Sequence, residues 1–185
     1  MNIVGTDVKD VYVIENKVFG DERGWFSEVY RVNVLKEYIG DLDFVQLNES
    51  HSAHNILRGL HYQKPHSQGK LVRVVKGEVF DVAVDLRRDS PTFLKWYGII
   101  LSDSNHKQLW IPPGFAHGFY VTGEHAHFVY ACTDYYAKEA ERCIVYNDEK
   151  IGIKWPIAEG EKPILSDKDL QGDKVEKLLE SNDFF

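Results

Sequence analysis

The feature that most limits what this chain can become is a period-two run in its middle, Lys70-Leu71-Val72-Arg73-Val74-Val75-Lys76-Gly77-Glu78-Val79-Phe80-Asp81-Val82-Ala83-Val84-Asp85-Leu86. Side chains of a strand alternate between two faces, so Phe80, Val82, Val84 and Leu86 share one face and Val79, Asp81, Ala83 and Asp85 share the other. The first face is wholly apolar, while the second sets two carboxylates among small residues. A helix would scatter this pattern around its circumference, so the run is β. Gly77, between two β-rich stretches, predicts a hairpin turning at Lys76-Gly77.

Further strands are expected at Val11 to Phe19, Trp25 to Tyr30, Phe44 to Asn48, Trp96 to Leu101, Gln108 to Ile111, Phe119 to Val121 and His127 to Asp134. Turn residues separate them: Gly20-Asp21, Ser90-Pro91, Ser102-Asp103-Ser104-Asn105, Pro112-Pro113-Gly114 and Thr122-Gly123. Helix is scarce. Val32 to Ile39 reads as one, stopped by Gly40, and Asp173 reads as the cap of another through Val175-Glu176-Lys177-Leu178-Leu179. The expected class is all-β, an antiparallel jelly roll with a few short helices at the C-terminus.

The 185 residues fit one domain, 1–185, large enough to bury a core without a disulfide or metal staple. Two cysteines, Cys132 and Cys143, match no zinc spacing and are too few for a secreted disulfide framework. The 22 basic and 29 acidic residues leave a net charge of −7, which disfavours nucleic acid as a partner but leaves room for a local basic pocket. The start, Met1-Asn2-Ile3-Val4-Gly5-Thr6-Asp7, lacks the basic and apolar regions of a signal peptide, and no run of about 18 apolar residues exists to cross a membrane. A cytoplasmic protein is expected.

Four clusters could carry chemistry. Asp21-Glu22-Arg23-Gly24-Trp25-Phe26-Ser27-Glu28 is a charged turn entering a strand. Asn48-Glu49-Ser50-His51 and Asn55-Ile56-Leu57-Arg58-Gly59-Leu60-His61-Tyr62-Gln63 place Arg58 and His61 in an apolar run near Lys70. Trp110-Ile111-Pro112-Pro113-Gly114-Phe115-Ala116-His117-Gly118-Phe119 aims one histidine from a rigid turn. His127-Phe128-Val129-Tyr130-Ala131-Cys132-Thr133-Asp134-Tyr135-Tyr136 puts Tyr130 and Tyr136 on one face if the strand continues.

A histidine in one strand followed by Pro112-x-Gly114-x-x-His117 is similar to the paired motifs of the cupin superfamily, many of whose members bind a metal. Here the first motif reads His61-Tyr62-Gln63, with neither a second histidine nor a following carboxylate. His66 is the one spare candidate, which leaves the set thin for a catalytic ion.

A narrower resemblance covers the chain in order from about residue 15 to 170. Phe19-Gly20-Asp21-Glu22-Arg23-Gly24-Trp25-Phe26-Ser27-Glu28, Leu57-Arg58-Gly59-Leu60-His61-Tyr62-Gln63, Gln68-Gly69-Lys70-Leu71-Val72-Arg73, Ile111-Pro112-Pro113-Gly114-Phe115-Ala116-His117-Gly118-Phe119 and Leu165-Ser166-Asp167-Lys168-Asp169 resemble the dTDP-4-dehydrorhamnose 3,5-epimerase family. The resemblance implies cofactor-free epimerisation of dTDP-4-keto-6-deoxy-D-glucose at C3 and C5, beside the C4 ketone. It implies His61 as base, Tyr130 as acid on the opposite face of the sugar, Asp169 (or Asp167) as partner of His61, and Lys70 facing the C4 oxygen. It assigns Arg23, Glu28, Gln46, Asn48, Arg58, His117, Tyr136, Glu141 and Lys168 to substrate binding, with Asp81 and Phe26 in support and no metal ligand. It also implies a homodimer in which the Arg23 segment crosses to the neighbouring subunit. A single-carbon epimerase, a ketoisomerase of a related dTDP-sugar, or a metal-dependent cupin are the alternatives. Regular alternation would send Arg58 and His61 to opposite faces, so a bulge is expected at Gly59.

Overall fold

The computed structural model describes residues 1–185. The strands are β1 (Asn2–Gly5), β2 (Tyr12–Glu15), β3 (Val18–Asp21), β4 (Gly24–Ser27), then helix α1 (Val32–Ile39), β5 (Gln46–Ala53) and β6 (Leu57–Gln63). There follow β7 (Lys70–Asp85), β8 (Trp96–Ser102), β9 (Lys107–Ile111), β10 (Phe115–Cys132) and β11 (Glu141–Cys143), and the helices α2 (Asp167–Leu170) and α3 (Val175–Ser181). No helix is long and apolar enough to cross a membrane.

Two long antiparallel strands, β7 and β10, pair along their whole length and belong to both layers of the jelly roll. In the first layer Lys70–Arg73 of β7 pairs with β9, and His125–Cys132 of β10 pairs with β5. In the second layer Glu78–Val84 of β7 pairs with β8, and the start of β10 pairs with β6, which pairs in turn with β11. Each long strand therefore changes layer halfway.

This corrects the expected hairpin. Gly77 is a corner, not a turn: the chain runs straight on, and the ladder slips between Val121 and Ala126 opposite it. Strands that switch layers need such a bulge. Gly77 has φ +83°, and a Cβ there would run into the His125 carbonyl, so only glycine fits. For the same reason Thr122-Gly123 is not a turn but part of β10. The expected strand from Val11 to Phe19 is broken into β2 and β3 at Asn16-Lys17. Helix α1 falls where expected, ending at Gly40. The last helix has Lys174, not Asp173, at its N-cap position, and its first-turn Val175 N–H donates instead to Asp148 Oδ2 (2.9 Å).

The faces of β7 also sort differently from their hydrophobicity. Val79 and Ala83, neighbours of Asp81, lie between the layers with Val72, Leu109, Phe119 and Phe128. Val82, Val84 and Leu86 face outwards and are sealed by Val175, Leu178 and Phe184 of the C-terminal segment. Helix α1 seals the other layer, Leu35 packing on Ile14, Leu71 and Trp110. Each Val, Leu, Ile and Phe side chain among these contributes about 1.5–3 kcal/mol on full burial. The interior also holds polar groups, Asp81, His117 and Lys70 among them.

Candidate active site

The site begins with an extra residue in β6. Phe119 of β10 is opposite Arg58 and His117 is opposite His61, so three steps of β6 match two of β10. Gly59 takes up the difference at φ +107°, where a Cβ would stand 2.6 Å from the His117 carbonyl oxygen. The bulge brings Arg58 and His61 onto one cleft of about 370 Å³, shared with Ser166, Lys168 and Asp169. Ser52 Oγ accepts from Arg58 Nε at 3.0 Å and steadies the guanidinium.

His61 Nε2 lies 2.5 Å from Asp169 Oδ1. Asp169 is buried at the start of α2, whereas Asp167 is exposed, so Asp169 is the carboxylate that meets the ring. Ser166 caps the helix by accepting from the Asp169 N–H (3.2 Å), and its hydroxyl donates to Asp169 Oδ2 at 2.7 Å. Burial alone would raise the pKa of Asp169. The bonds from His61, Ser166 and the Gly59 N–H win, and it is held below the usual carboxylate range. With Nε2–H given to a fixed carboxylate, the free lone pair of a neutral His61 is on Nδ1.

Deeper in, His117 Nε2 lies 2.9 Å from Asp81 Oδ2, and Asp81 is fully buried. Burial lowers the pKa of His117, against the pull of Asp81 and with help from Lys70 and His61, so this imidazole stays neutral. Its ring stacks on Phe128 (6.0 Å between centroids), and Phe128 abuts Tyr130 at 5.9 Å. Lys70 is buried too. Burial pushes its ammonium below the ordinary lysine range, partly offset by Cys132, Asp81 and Glu141. Tyr130 moves the other way: burial raises its phenol, as does Cys132, against Arg58 and Asn48. The interior thus holds a neutral imidazole, a protonated phenol and a buried lysine close enough to act on that imidazole.

The rim is polar and continuous. Tyr136, half exposed, donates its hydroxyl to Glu141 Oε2 (2.9 Å), and Glu141 is ion-paired to Lys168. The Tyr136 N–H donates to Gln46 Oε1 (2.8 Å), whose amide donates to Asn48 Oδ1 (2.9 Å). The strand ends at Cys132, so Tyr136 reaches this rim from a loop and not from the face of Tyr130.

The sequence profile of the dTDP-4-dehydrorhamnose 3,5-epimerases matches residues 5–177. This chain belongs to the dTDP-4-dehydrorhamnose 3,5-epimerase family. It is 53% identical to the enzyme of that name from Shigella flexneri over 176 residues, 94% of this chain and 96% of the relative. The structure of the dTDP-6-deoxy-D-glucose-3,5-epimerase from Legionella pneumophila Philadelphia 1, in complex with dTDP-4-keto-L-rhamnose, superposes with a TM-score of 0.91 at 49% identity, covering 95% of this chain and 93% of that one. The Mycobacterium tuberculosis epimerase gives 0.95 at 34%, covering 100% and 93%.

Three residues suggested by the epimerase resemblance lie elsewhere. Arg23 and Phe26 are exposed on the β3–β4 hairpin, beside Phe19 and Trp25, and Arg23 is paired only to Asp21 (2.5 Å). Glu28 is paired to Arg31. The hairpin is a two-stranded sheet of its own, not joined to either layer.

Other residues were not singled out by sequence. Ser166 positions Asp169, a role that its spacing, Ser three residues before an acidic residue, could have indicated. Gln63 is buried and holds the loop of Tyr136, donating to the carbonyls of His66 (2.8 Å) and Tyr135 (3.1 Å) and accepting from the Ala137 N–H (2.8 Å). Cys143, opposite His61 in the β11–β6 ladder, puts its sulfur 3.9 Å from Asp169 Oδ1. His61, Cys143 and Asp169 have ligand atoms within 4.8 Å of one another. Yet burial, with the Asp169 charge, pushes the Cys143 thiol up to about 12, and the His61 nitrogen nearest the group is already bonded to Asp169. A protonated thiol is a poor metal ligand.

Proposed function

We propose that the chain epimerises dTDP-4-keto-6-deoxy-D-glucose at C3 and C5 to dTDP-4-keto-L-rhamnose, in dTDP-L-rhamnose biosynthesis. The observation that carries this is the His61–Asp169 pair standing directly across the β6–β10 ladder from the His117–Asp81 pair, whose imidazole feels the charge of the buried Lys70. A hydrogen beside a ketone becomes removable when a base is within reach and the oxygen is stabilised as charge develops on it.

In this reading His61 Nδ1 takes the hydrogen from carbon as a proton, and the C–H electron pair moves through the new C=C bond onto the C4 oxygen. The Lys70 ammonium stabilises that oxygen, and His117, held by Asp81, borders the same space. Tyr130 donates its hydroxyl proton to the other face of the carbon, the C=O re-forms, and the configuration is inverted. The phenolate recovers a proton from solvent and the imidazolium releases one, so nothing is consumed. Asp169 stabilises the imidazolium while it exists. Arg58 suits the pyrophosphate because its fork donates two bonds at once. Tyr136 offers a flat face to the thymine, with Gln46, Asn48, Glu141 and Lys168 around it.

The exposed hairpin supports a homodimer in which Arg23 and its neighbours Phe26 and Glu28 complete the partner's site. Free Cys132 and Cys143 accord with a reducing cytoplasm.

Incubation with dTDP-4-keto-6-deoxyglucose in D2O, followed by NMR, tests the reading. Deuterium at both C3 and C5 with formation of the L-configured product is expected. Exchange at one carbon only would mark a single-carbon epimerase, and exchange at neither would overturn the reading.

A further inference from the structure

Outside the cleft, on the opposite face of the same strands, lies a group of histidines that the proposed reaction does not use. His125 and His127 alternate on β10 around the inward-facing Ala126, and His51 of β5 is the direct cross-strand partner of His127. The three rings gather on the outer face: His51 stacks on His125 with centroids 5.7 Å apart, and lies 6.3 Å from His127. His51 is exposed and the other two are half-buried, away from the part of this layer that α1 covers. Neither ring nitrogen of His51 or His125 is hydrogen-bonded within the chain, while His127 Nε2 is paired to Glu49.

We propose that His51, His125 and His127 form a surface site for a divalent transition-metal ion of the zinc class, distinct from the cleft of His61. A His-x-His pair on one strand, with a third histidine opposite it on the next, directs three imidazoles to one point above the sheet. Zinc–nitrogen bonds of about 2.0–2.1 Å in a tetrahedron set ring centroids about 5 Å apart, close to the 5.7 and 6.3 Å that separate His51 from His125 and His127, so side-chain rotation brings these rings into range. Imidazole nitrogens suit zinc, copper and nickel, whereas magnesium and calcium prefer oxygen. Glu49 supplies the carboxylate that orients a ligating histidine or balances the ion's charge.

The location gives the site a consequence. β5 is hydrogen-bonded to the sheet only through β10. Its inward residues Gln46 and Asn48 belong to the rim, and Tyr130 of β10 is opposite Asn48. An ion shared by His51 and the two β10 histidines would tie the strands together on the far face.

Equilibrium dialysis of the full chain against Zn2+ tests this, with zinc counted per chain. The wild type should hold an ion that the double variant His51→Asn/His125→Asn loses and that His61→Ala retains. Glu49→Gln should weaken binding about 10–100-fold. Zinc should raise the melting temperature of the wild type but not of the double variant, and circular dichroism checks that both fold. Co2+ in the wild type gives an independent readout, a visible absorption band of nitrogen ligation that the double variant lacks. Equal zinc in wild type and double variant, loss of the ion in His61→Ala, or no zinc held at 100 times the protein concentration would each overturn the proposal.

Discussion

His61 and His117 are direct cross-strand partners on β6 and β10, and each ring meets a carboxylate of its own, Asp169 for the first and Asp81 for the second. The two carboxylates come from unlike places. Asp81 is carried by the central strand β7, while Asp169 arrives on the short helix α2 near the end of the chain. One strand pair thus presents two oriented imidazoles, with Lys70 bearing on the inner one.

The alkaline limb of kcat should belong to Lys70. Its pKa is pushed down by burial and that of Tyr130 is pushed up, and both must be protonated to act. Burial thus moves the loss of the Lys70 proton towards neutral pH and that of Tyr130 away from it. Lys70→Arg, which stays charged, should lower kcat but move the limb to higher pH in a pH–rate profile. An unmoved limb would assign it to another group.

Asp85 should be the group whose removal costs most stability at neutral pH and least in acid. It is fully buried and accepts from Arg87 Nε and Nη2 (both 2.9 Å), Ser90 (2.6 Å) and Thr92 (2.7 Å). Burial would raise its pKa, but these bonds prevail and lower it. A folded pKa below the unfolded one gives stability that is present above about pH 4 and is lost as pH falls through the folded value. Asp85→Asn, which leaves the partly exposed Arg87 paired to Asp10 alone (2.7 Å), should cost about 1–3 kcal/mol at pH 7. Urea unfolding at pH 7 and pH 3 should show the gap closing in acid.

Activity should survive exhaustive treatment with EDTA, because the proposed proton transfers need only side chains of the chain. Loss on chelation, restored by one divalent ion, would contradict this.

Mixed dimers should rescue activity. Arg23→Ala and His61→Ala proteins, each inactive alone, should regain part of the wild-type rate after subunit exchange, since some sites then combine an intact His61 with an intact Arg23 of the partner subunit. Proven exchange without activity would place Arg23 outside the partner's site.

Much of the fold was legible because a strand whose two faces meet unlike surroundings leaves a period-two trace, as in Lys70–Leu86. What sequence could not convey is which face points inwards. The wholly apolar face of β7 packs under the C-terminal segment, and the face with Asp81 lines the interior, because the interior hosts the polar site. The corner at Gly77 reads locally like a turn, since both need a positive φ; only the pairing with β10 tells them apart. At the site, the conflict between Arg58 and His61 was visible in the alternation and pointed to Gly59. The pairing of His61 with Asp169, more than a hundred residues away in the chain, has no local signal and was accessible only through resemblance. Ser52, Gln63 and Cys143 act through other residues, and so leave no pattern of their own.

In the proposed reaction His61 removes the proton and Tyr130 supplies one from the other face. Solvent-deuterium uptake at C3 and C5, measured beside product formation in His61→Ala and Tyr130→Phe, tests it most directly. His61→Ala should lose both, since no proton leaves carbon. Tyr130→Phe should keep exchange while inverted product falls by about 10²–10⁴-fold, because His61 can still form the enolate and return a proton to the original face. Exchange that persists in His61→Ala, or that vanishes as completely in Tyr130→Phe, would contradict the account.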